Sequence, residues 1–336
     1  MERKGHGIAL FSGGLDSTLA ILMVLQQNVE VTALSFLTHF GCDITDRSNC
    51  SHDPYPIAER FGFTVKLIHL GYKFVDLVRL PRFGHGRNMN PCIDCRILML
   101  KEAKEYMEMV GADFVFTGEV LGQRPMSQHR PQLNLVARES GLADRLVRPL
   151  SARLLKETEP EKRGLLDRTL LGAMNGRSRK PQMALATRFG LENYPSPAAG
   201  CLLTDPEYSR RLRDYFAHHE DADFNELNLL RLGRHFRATD KTWIIVGRNE
   251  EENDKIIRYH HGDDWLFEAR DTGSPITLVK GELTEDTTRL AASITARYCR
   301  RRNESSVDVT YWRDNSPEQK IMTPPATDTF LEPLRI

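Results

Sequence analysis

Apolar positions in the first half of the chain fall into two alternating rhythms. Short β-rich runs at 7–11, 29–37, 64–70, 113–117 and 146–150 are separated by stretches of helical spacing at 17–27, 56–61 and 95–110. In the longest of these, Leu98, Ala103, Met107 and Val110 are available for one buried face. Strand–helix alternation predicts an α/β fold, a parallel sheet with helices on both faces and ligands at the carboxyl ends of its strands. A Pro-rich segment at 194–200 breaks any helix, and 205–237 then reads as helical. From 239 the pattern changes to strands at 243–246, 265–269, 276–279 and 307–312 with one strong helix at 285–301, predicting a smaller α+β module. The expected organisation is a first domain at 1–200, a helical connector at 201–238 and a second domain at 239–336.

Composition changes this picture little. Of 336 residues, 40% are hydrophobic and 27% charged, enough apolar material for two packed cores. Charge is more instructive: 46 Lys and Arg balance 46 Asp and Glu, so no global field draws the chain to a polyanion. The balance is local, however. Residues 145–188 hold eleven basic and four acidic side chains, a net +7, whereas 239–336 hold fourteen and eighteen, a net −4. No apolar run nears the roughly 18 residues of a membrane span. The N-terminus leads directly into a strand, so a cytoplasmic protein without a membrane partner is expected. Six cysteines in a chain this long are too few for a disulfide framework and read as working thiols.

The first chemical signal is Phe11-Ser12-Gly13-Gly14-Leu15-Asp16-Ser17-Thr18, between a predicted strand and a predicted helix. Two glycines permit a tight turn and close anion approach. The helix N-terminus adds partial positive charge, and Ser12, Ser17 and Thr18 add hydroxyl donors. A glycine turn with a polar cap would look the same in isolation. No Gly-Lys-Ser/Thr follows, which disfavours a Walker-type site. The run Ser-Gly-Gly-Leu-Asp-Ser resembles the signature of the PP-loop ATP pyrophosphatases, at the first strand as in that family. The resemblance implies a HUP-like parallel sheet and cleavage of ATP between its α and β phosphates. It also implies pyrophosphate held by Ser12, Gly13, Gly14, Ser17 and Thr18, with Asp16 organising Mg2+.

A second signal is Asn90-Pro91-Cys92-Ile93-Asp94-Cys95, two thiols on a turn leading into a helix. A helix N-terminus lowers a thiol's pKa and favours thiolate for sulfur chemistry or metal ligation. Cys201 follows in a small-residue loop. The stretch Thr117-Gly118-Glu119-Val-Leu-Gly122-Gln123-Arg-Pro-Met-Ser127-Gln128, with Leu146-Val-Arg148-Pro149-Leu150, closely resembles tRNA 4-thiouridine synthases; the cysteine turn resembles these and the 2-thiouridylases. The resemblance spans roughly 6–205 and adds Thr117, Gly118 and Gln123 to the ATP site. It gives Cys201 the sulfur-carrying role, with Cys92 and Cys95 either resolving a persulfide or joining Cys201 around a 4Fe-4S cluster. His39, Cys42, Cys50 and His52 show metal-like spacing but read as loop residues, and Cys299 reads as core.

The third signal lies in the second module. Gly247-Arg248-Asn249, Asp264-Trp265 through Ser274, Ala291-Ala292, Tyr298 and Val307-Asp-Val309-Thr-Tyr311 resemble, in order, the RNA-binding portion of the NFACT proteins. That resemblance implies RNA contact, in which Trp265, Phe267 and Tyr311 could stack on bases and Arg297, Arg300, Arg301 and Arg302 could pair phosphates. The same aromatics could instead fill a small core. Arg148, Arg177, Arg179 and Lys180 of the basic stretch are the further RNA candidates.

These readings converge on ATP-dependent tRNA thiolation: adenylation of a uridine carbonyl oxygen, then its replacement by sulfur. ATP, Mg2+ and, in one variant, a 4Fe-4S cluster are the expected cofactors. The partners are tRNA and a sulfur donor, whether a cysteine desulfurase, a persulfide carrier or sulfide, and a homodimer is one assembly considered. Two competitors stand beside this reading, adenylation of a small molecule and a non-catalytic, ATP-gated RNA-binding protein.

Overall fold

The computed structural model describes residues 5–41, 53–192, 194 and 201–336. The chain divides into two compact units, Met1–Thr204 and Asp205–Ile336. Residues 205–238, expected as part of a connector, belong to the second unit. No helix among the described residues is long and apolar enough to cross a membrane.

The first unit runs β1 (His6–Leu10), α1 (Leu15–Leu25), β2 (Glu30–Leu37), α2 (Tyr55–Phe61), β3 (Thr64–His69), α3 (Gly71–Arg79), α4 (Cys92–Val110), β4 (Phe114–Thr117), α5 (Arg130–Glu139), β5 (Leu146–Val147), α6 (Glu159–Lys162) and α7 (Lys180–Arg188). The five strands form a parallel sheet in the order β3-β2-β1-β4-β5. Central β1 and β4 are apolar nearly throughout, as strands covered on both faces must be, while edge strand β3 holds only exposed and half-buried residues. Chain order reverses around β1, whose neighbours are β2 and β4. A crevice therefore opens at the carboxyl ends of β1 and β4, the place where such sheets bind ligands.

Helix α1 is buried along almost its whole length, from Leu15 to Val24 apart from Asp16, because Leu, Ile, Met, Val and Ala occupy every side of it. Helix α4 begins three residues earlier than its periodicity suggested and buries Ile97, Leu100, Ala103 and Met107. The buried face is thus rotated from the expected one, and Val110 lies 39% exposed beside the left-handed Gly111 that ends the helix. Helices α3 and α5 were not legible as elements. They are short, and their anchors Phe74, Val75, Val78 and Leu133, Val136, Ala137 give only two or three turns of periodicity.

The second unit holds α8 (Pro206–His218), α9 (Phe224–Leu229), β6 (Arg234–Thr239), β7 (Thr242–Val246), α10 (Glu250–Tyr259), β8 (Trp265–Ala269), β9 (Thr277–Gly281), α11 (Glu285–Tyr298), β10 (Val307–Trp312), β11 (Gln319–Thr323) and α12 (Asp328–Leu331). Its sheet is antiparallel, ordered β11-β10-β8-β9-β7-β6. The helical reading of 205–237 breaks at Asp223, whose carboxylate caps α9, and at Gly233, whose φ of +64° turns the chain into β6. Helix α11 packs Ala291, Ala292, Ile294 and Ala296 on the sheet, and Cys299 closes that core.

Beyond β4 the chain passes the start of α1 at Gly118. A Cβ at this position would lie 2.5 Å from the Ser17 amide nitrogen and 2.6 Å from the Asp16 carbonyl carbon and oxygen. Only a residue without a side chain admits this contact between two backbones. Gly118→Ala is expected to destabilise the first unit by about 1–3 kcal/mol, the range for overpacking a close contact. A thermal melt indistinguishable from wild type would show that the crevice tolerates a wider spacing.

Candidate functional site

The loop of residues 11–14 joins β1 to α1. Gly13 adopts φ +70° and Gly14 is an extended N-cap from which no side chain caps the helix. The first-turn amides are therefore left for an anion. Ser12 is exposed, with Oγ 3.3 Å from Ser17 Oγ. Ser17 and Thr18, expected as phosphate donors through their hydroxyls, instead donate them to the Gly14 carbonyl at 2.9 and 3.1 Å. Their hydroxyls hold the loop in shape, and the donors that face outward are backbone amides and Ser12.

Asp16 follows on the first turn of α1. Its Oδ2 accepts a 2.9 Å bond from Gln123 Nε2, and Gln123 Oε1 accepts a 3.3 Å bond from Gln182 Nε2. Gln182 on α7 is fully buried. The other oxygen of Asp16, Oδ1, is buried with no hydrogen-bond partner. A buried anionic oxygen without a donor is costly unless a cation completes it. Asp16 and the loop therefore fit Mg2+, which takes one or two carboxylates and fills its remaining positions with phosphate and water. Gln123 was legible in its motif. Gln182 was not, because its only signal is an amide within a short basic helix.

The chain leaving β4 places Thr117, Gly118 and Glu119 against this loop. Thr117, expected at ATP, is 1% exposed and directs its hydroxyl to Glu119 Oε2 at 3.0 Å. Glu119 is buried, and burial alone would raise its pKa. Arg148 and Arg96, with nitrogens 3.0 and 3.3 Å from its oxygens, outweigh that and hold it below the usual range. Arg148 also donates to the Leu133 carbonyl at 3.0 Å and is 6% exposed. The expected RNA contact through Arg148 is corrected here: its charge is spent on Glu119 inside the fold.

Cys92 and Cys95 sit three residues apart in the first turn of α4, a spacing that shares one helix face. Cys92 does not have the lowered pKa expected of a helix N-terminus. Burial pushes its thiol up, and the nearby charges of Arg124 and Arg96 offset this only in part. Cys201 begins a turn in which the Thr204 amide and hydroxyl both donate to the Cys201 carbonyl, at 2.7 and 2.6 Å. That turn is bonded to the segment entering α4: Met89 N donates to Leu203 O at 3.0 Å, and Asn88 Nδ2 to Thr204 O at 2.7 Å. The two cysteine-bearing segments, more than a hundred residues apart in sequence, are thus held side by side. Even so, no group of three His, Cys, Asp or Glu side chains among the described residues is arranged to hold a metal. The three thiols do not fit a cluster in this geometry. Cys42, Cys50 and His52 lie outside the described residues.

Among the other RNA candidates, Arg177 and Lys180 are exposed and Arg179 half-buried at the start of α7. In the second unit Trp265 is half-buried, 5.8 Å from the Tyr311 ring, with the Arg313 guanidinium 5.0 Å from its centroid. Phe267 is fully buried and stacked on Tyr311, so it serves the core and not a base. Arg297 and Arg301 pair with Asp328 and Glu304 at 2.6 Å, while Arg300 and Arg302 are exposed.

Comparison with known proteins yields two family matches. Residues 3–153 match the model of the thiamine biosynthesis protein ThiI, and residues 233–333 match the NFACT protein RNA binding domain. The tRNA-specific 2-thiouridylase MnmA of Pseudomonas aeruginosa (strain LESB58) is 30% identical over 131 residues, covering 36% of this chain and 34% of that protein. The first curated relatives are thus matched over only about a third of their length. The MnmA of Lactobacillus delbrueckii subsp. bulgaricus aligns over 94% of this chain and 87% of its own length at 23% identity. Among solved structures, a 4-thiouridine synthetase–RNA complex with bound ATP shares 19% identity over 67% of this chain and 52% of that chain, with a TM-score of 0.36. Residues 3–153 are thus similar to the thiamine biosynthesis protein ThiI and residues 233–333 to the NFACT protein RNA binding domain, each match covering less than half of the chain.

Proposed function

We propose that the chain is an ATP-dependent tRNA thiolase. The observation that carries this reading is the pairing of the Cys201 turn with the entrance to α4, in the same unit that builds a phosphate loop beside the orphaned oxygen of Asp16. The printed names of the relatives, a 2-thiouridylase and an RNA-bound 4-thiouridine synthetase with ATP, agree with it.

The chemistry follows from what each group can supply. A uridine carbonyl oxygen is a poor leaving group, and attack of that oxygen on the α-phosphorus of ATP, with loss of pyrophosphate, converts it into one. The amides of the 13–17 turn hold the departing pyrophosphate, and Asp16, oriented by Gln123 and Gln182, would hold a Mg2+ ion, which would supply positive charge to the phosphates. A persulfide delivered to Cys201 by a sulfur donor then attacks the adenylated carbon, and AMP leaves. A thiolate from Cys92 or Cys95 takes the Cys201 sulfur, the S–S bond to the transferred sulfur breaks, and the base keeps that sulfur as a thione. A disulfide between cysteines remains for a thiol reductant. RNA contacts are assigned to Arg177, Arg179 and Lys180 in the first unit and to Trp265, Arg300 and Arg301 in the second.

The expected products with tRNA and a persulfide donor are pyrophosphate, AMP and a thionucleoside. Mass spectrometry of the digested RNA reads the last, and intact uridine in the presence of normal ATP turnover would sink the proposal. Asp16→Ala should lower RNA-dependent pyrophosphate release by at least about a hundredfold, whereas Cys201→Ser should abolish sulfur incorporation and leave pyrophosphate release measurable. Equal loss of both in Cys201→Ser would mean the cysteine serves the fold.

Alkylation of Cys92 with pH tests its raised pKa. Because burial favours the neutral thiol, the midpoint should lie above that of an ordinary cysteine. Arg124→Ala, which removes a charge favouring thiolate, should move it higher still and slow labelling at neutral pH. A midpoint that falls or stays fixed in Arg124→Ala would show that Arg124 does not act on this thiol.

A further inference from the structure

The segment between α3 and α4 is an exposed loop held unusually firmly. Asp94, itself buried, accepts the amides of Arg82 and Phe83 at 3.0 Å each. His85 Nε2 lies 2.7 Å from the Val78 carbonyl, and the Gly86 amide donates to Asn90 O at 2.8 Å. At its far end, Asn88 and Met89 are bonded to the Cys201 turn. Yet the loop turns apolar and cationic side chains to solvent. Leu80 is 81% and Phe83 37% exposed, with the Arg82 guanidinium 4.9 Å from the Phe83 ring centroid. Arg82, His85 and Arg87 are exposed as well, and no Asp or Glu occurs between Arg79 and Ile93.

Leu80, at 81% exposed, buries little apolar surface, and the exposed part of the Phe83 ring adds nothing to the core. What they offer is a stacking face flanked by positive charge, already ordered before any partner arrives. Such a combination suits a nucleic-acid strand, whose bases stack on aromatic rings and whose phosphates pair with arginine. The Arg82–Glu139 pair at 2.7 Å, with Arg82 73% exposed, is a surface ion pair that contributes little and can be exchanged for a phosphate. The neighbouring 124–128 loop adds exposed Arg124. A Cβ on Gly86 would lie 3.2 Å from Met126 Cε, which places the two loops in contact.

Resting on the thiolase reading, we propose that residues 80–91 form a preformed RNA-docking platform, in which Phe83 stacks on a base, Arg82 and Arg87 pair with phosphates, and the strand bearing the target uridine is led to Cys92. The loop runs straight into α4 and is bonded to the Cys201 turn, so a base seated on Phe83 lies beside the segments that carry the thiols. Its rigidity means that the ordering entropy is met in folding and not in binding.

The test uses the full chain with a fluorescently labelled, unmodified tRNA transcript across a salt series. Phe83→Ala should weaken binding about 5- to 150-fold, the range for losing one stacked base. In Arg82→Ala/Arg87→Ala the log–log salt slope should become shallower by about 0.7–0.9 for each phosphate contact removed. Ultraviolet crosslinking of the wild-type chain, which requires no variant to fold, should map to a peptide containing residues 80–91. Wild-type affinity and slope in both variants, with crosslinks elsewhere, would overturn the platform. Unchanged RNA binding with lost sulfur uptake from a donor protein would overturn it too, by making the loop a protein-docking site. If the wild-type chain crosslinks through this loop but forms no thionucleoside, the platform stands and the thiolase reading falls.

Discussion

The first unit is organised around a buried carboxylate. Glu119 stands just past β4, and its charge is met by Arg148 beyond β5 and by Arg96 on α4, one residue after Cys95. Removing one partner from such a set leaves an uncompensated buried charge, at about 3–5 kcal/mol, so the three segments are coupled in position. Next to it Gly118 touches the backbone at the start of α1. Two adjacent residues thus fix both halves of the candidate chemistry, the phosphate loop through a backbone contact and the cysteine helix through an ion pair.

A second layer of control reaches Asp16 from the opposite direction. The Gln182–Gln123–Asp16 chain ties α7, from the basic stretch, to the acid of the phosphate loop. Ser151 supports the same surround: Leu121 N donates to its Oγ at 3.0 Å, while the hydroxyl donates to Met174 O at 2.7 Å. The segment following β5 therefore acts less as a detachable cationic tail than as a wall of the crevice. Arg177 and Lys180 of this segment are exposed, while its inward Gln182 bonds to Gln123 beside the carboxylate.

Zero net charge conceals this division. Arg148 and Arg96 neutralise a buried acid, while Arg297 and Arg301 are held by Asp328 and Glu304. The arginines at 82, 87 and 177 and the lysine at 180 are exposed. What determines whether a basic residue can meet a phosphate is whether it is buried with its partner, as Arg148 is with Glu119, or paired at the surface, as Arg82 is with Glu139 and Arg301 with Glu304, which the charge sum does not record.

The amino-acid pattern by itself determined the strand–helix alternation of the first unit, the glycine turn at residues 12–14 and the strand-rich character of the chain beyond 239, because each rests on local periodicity or on residue type. Spatial proximity alone decided the rest. That Cys201 lies beside the entrance to α4, that Arg148 turns inward while Arg82 and Arg87 turn out, that Thr117 packs against Glu119, and that Gln182 completes the Asp16 network all depend on contacts between residues far apart in sequence. Short helices such as α3 and α5 escaped for the same reason: two or three turns carry too little periodicity, and their stability comes from packing. Burial likewise reversed the expected shift at Cys92, since a helix terminus favours thiolate only where solvent or charge is at hand to support it.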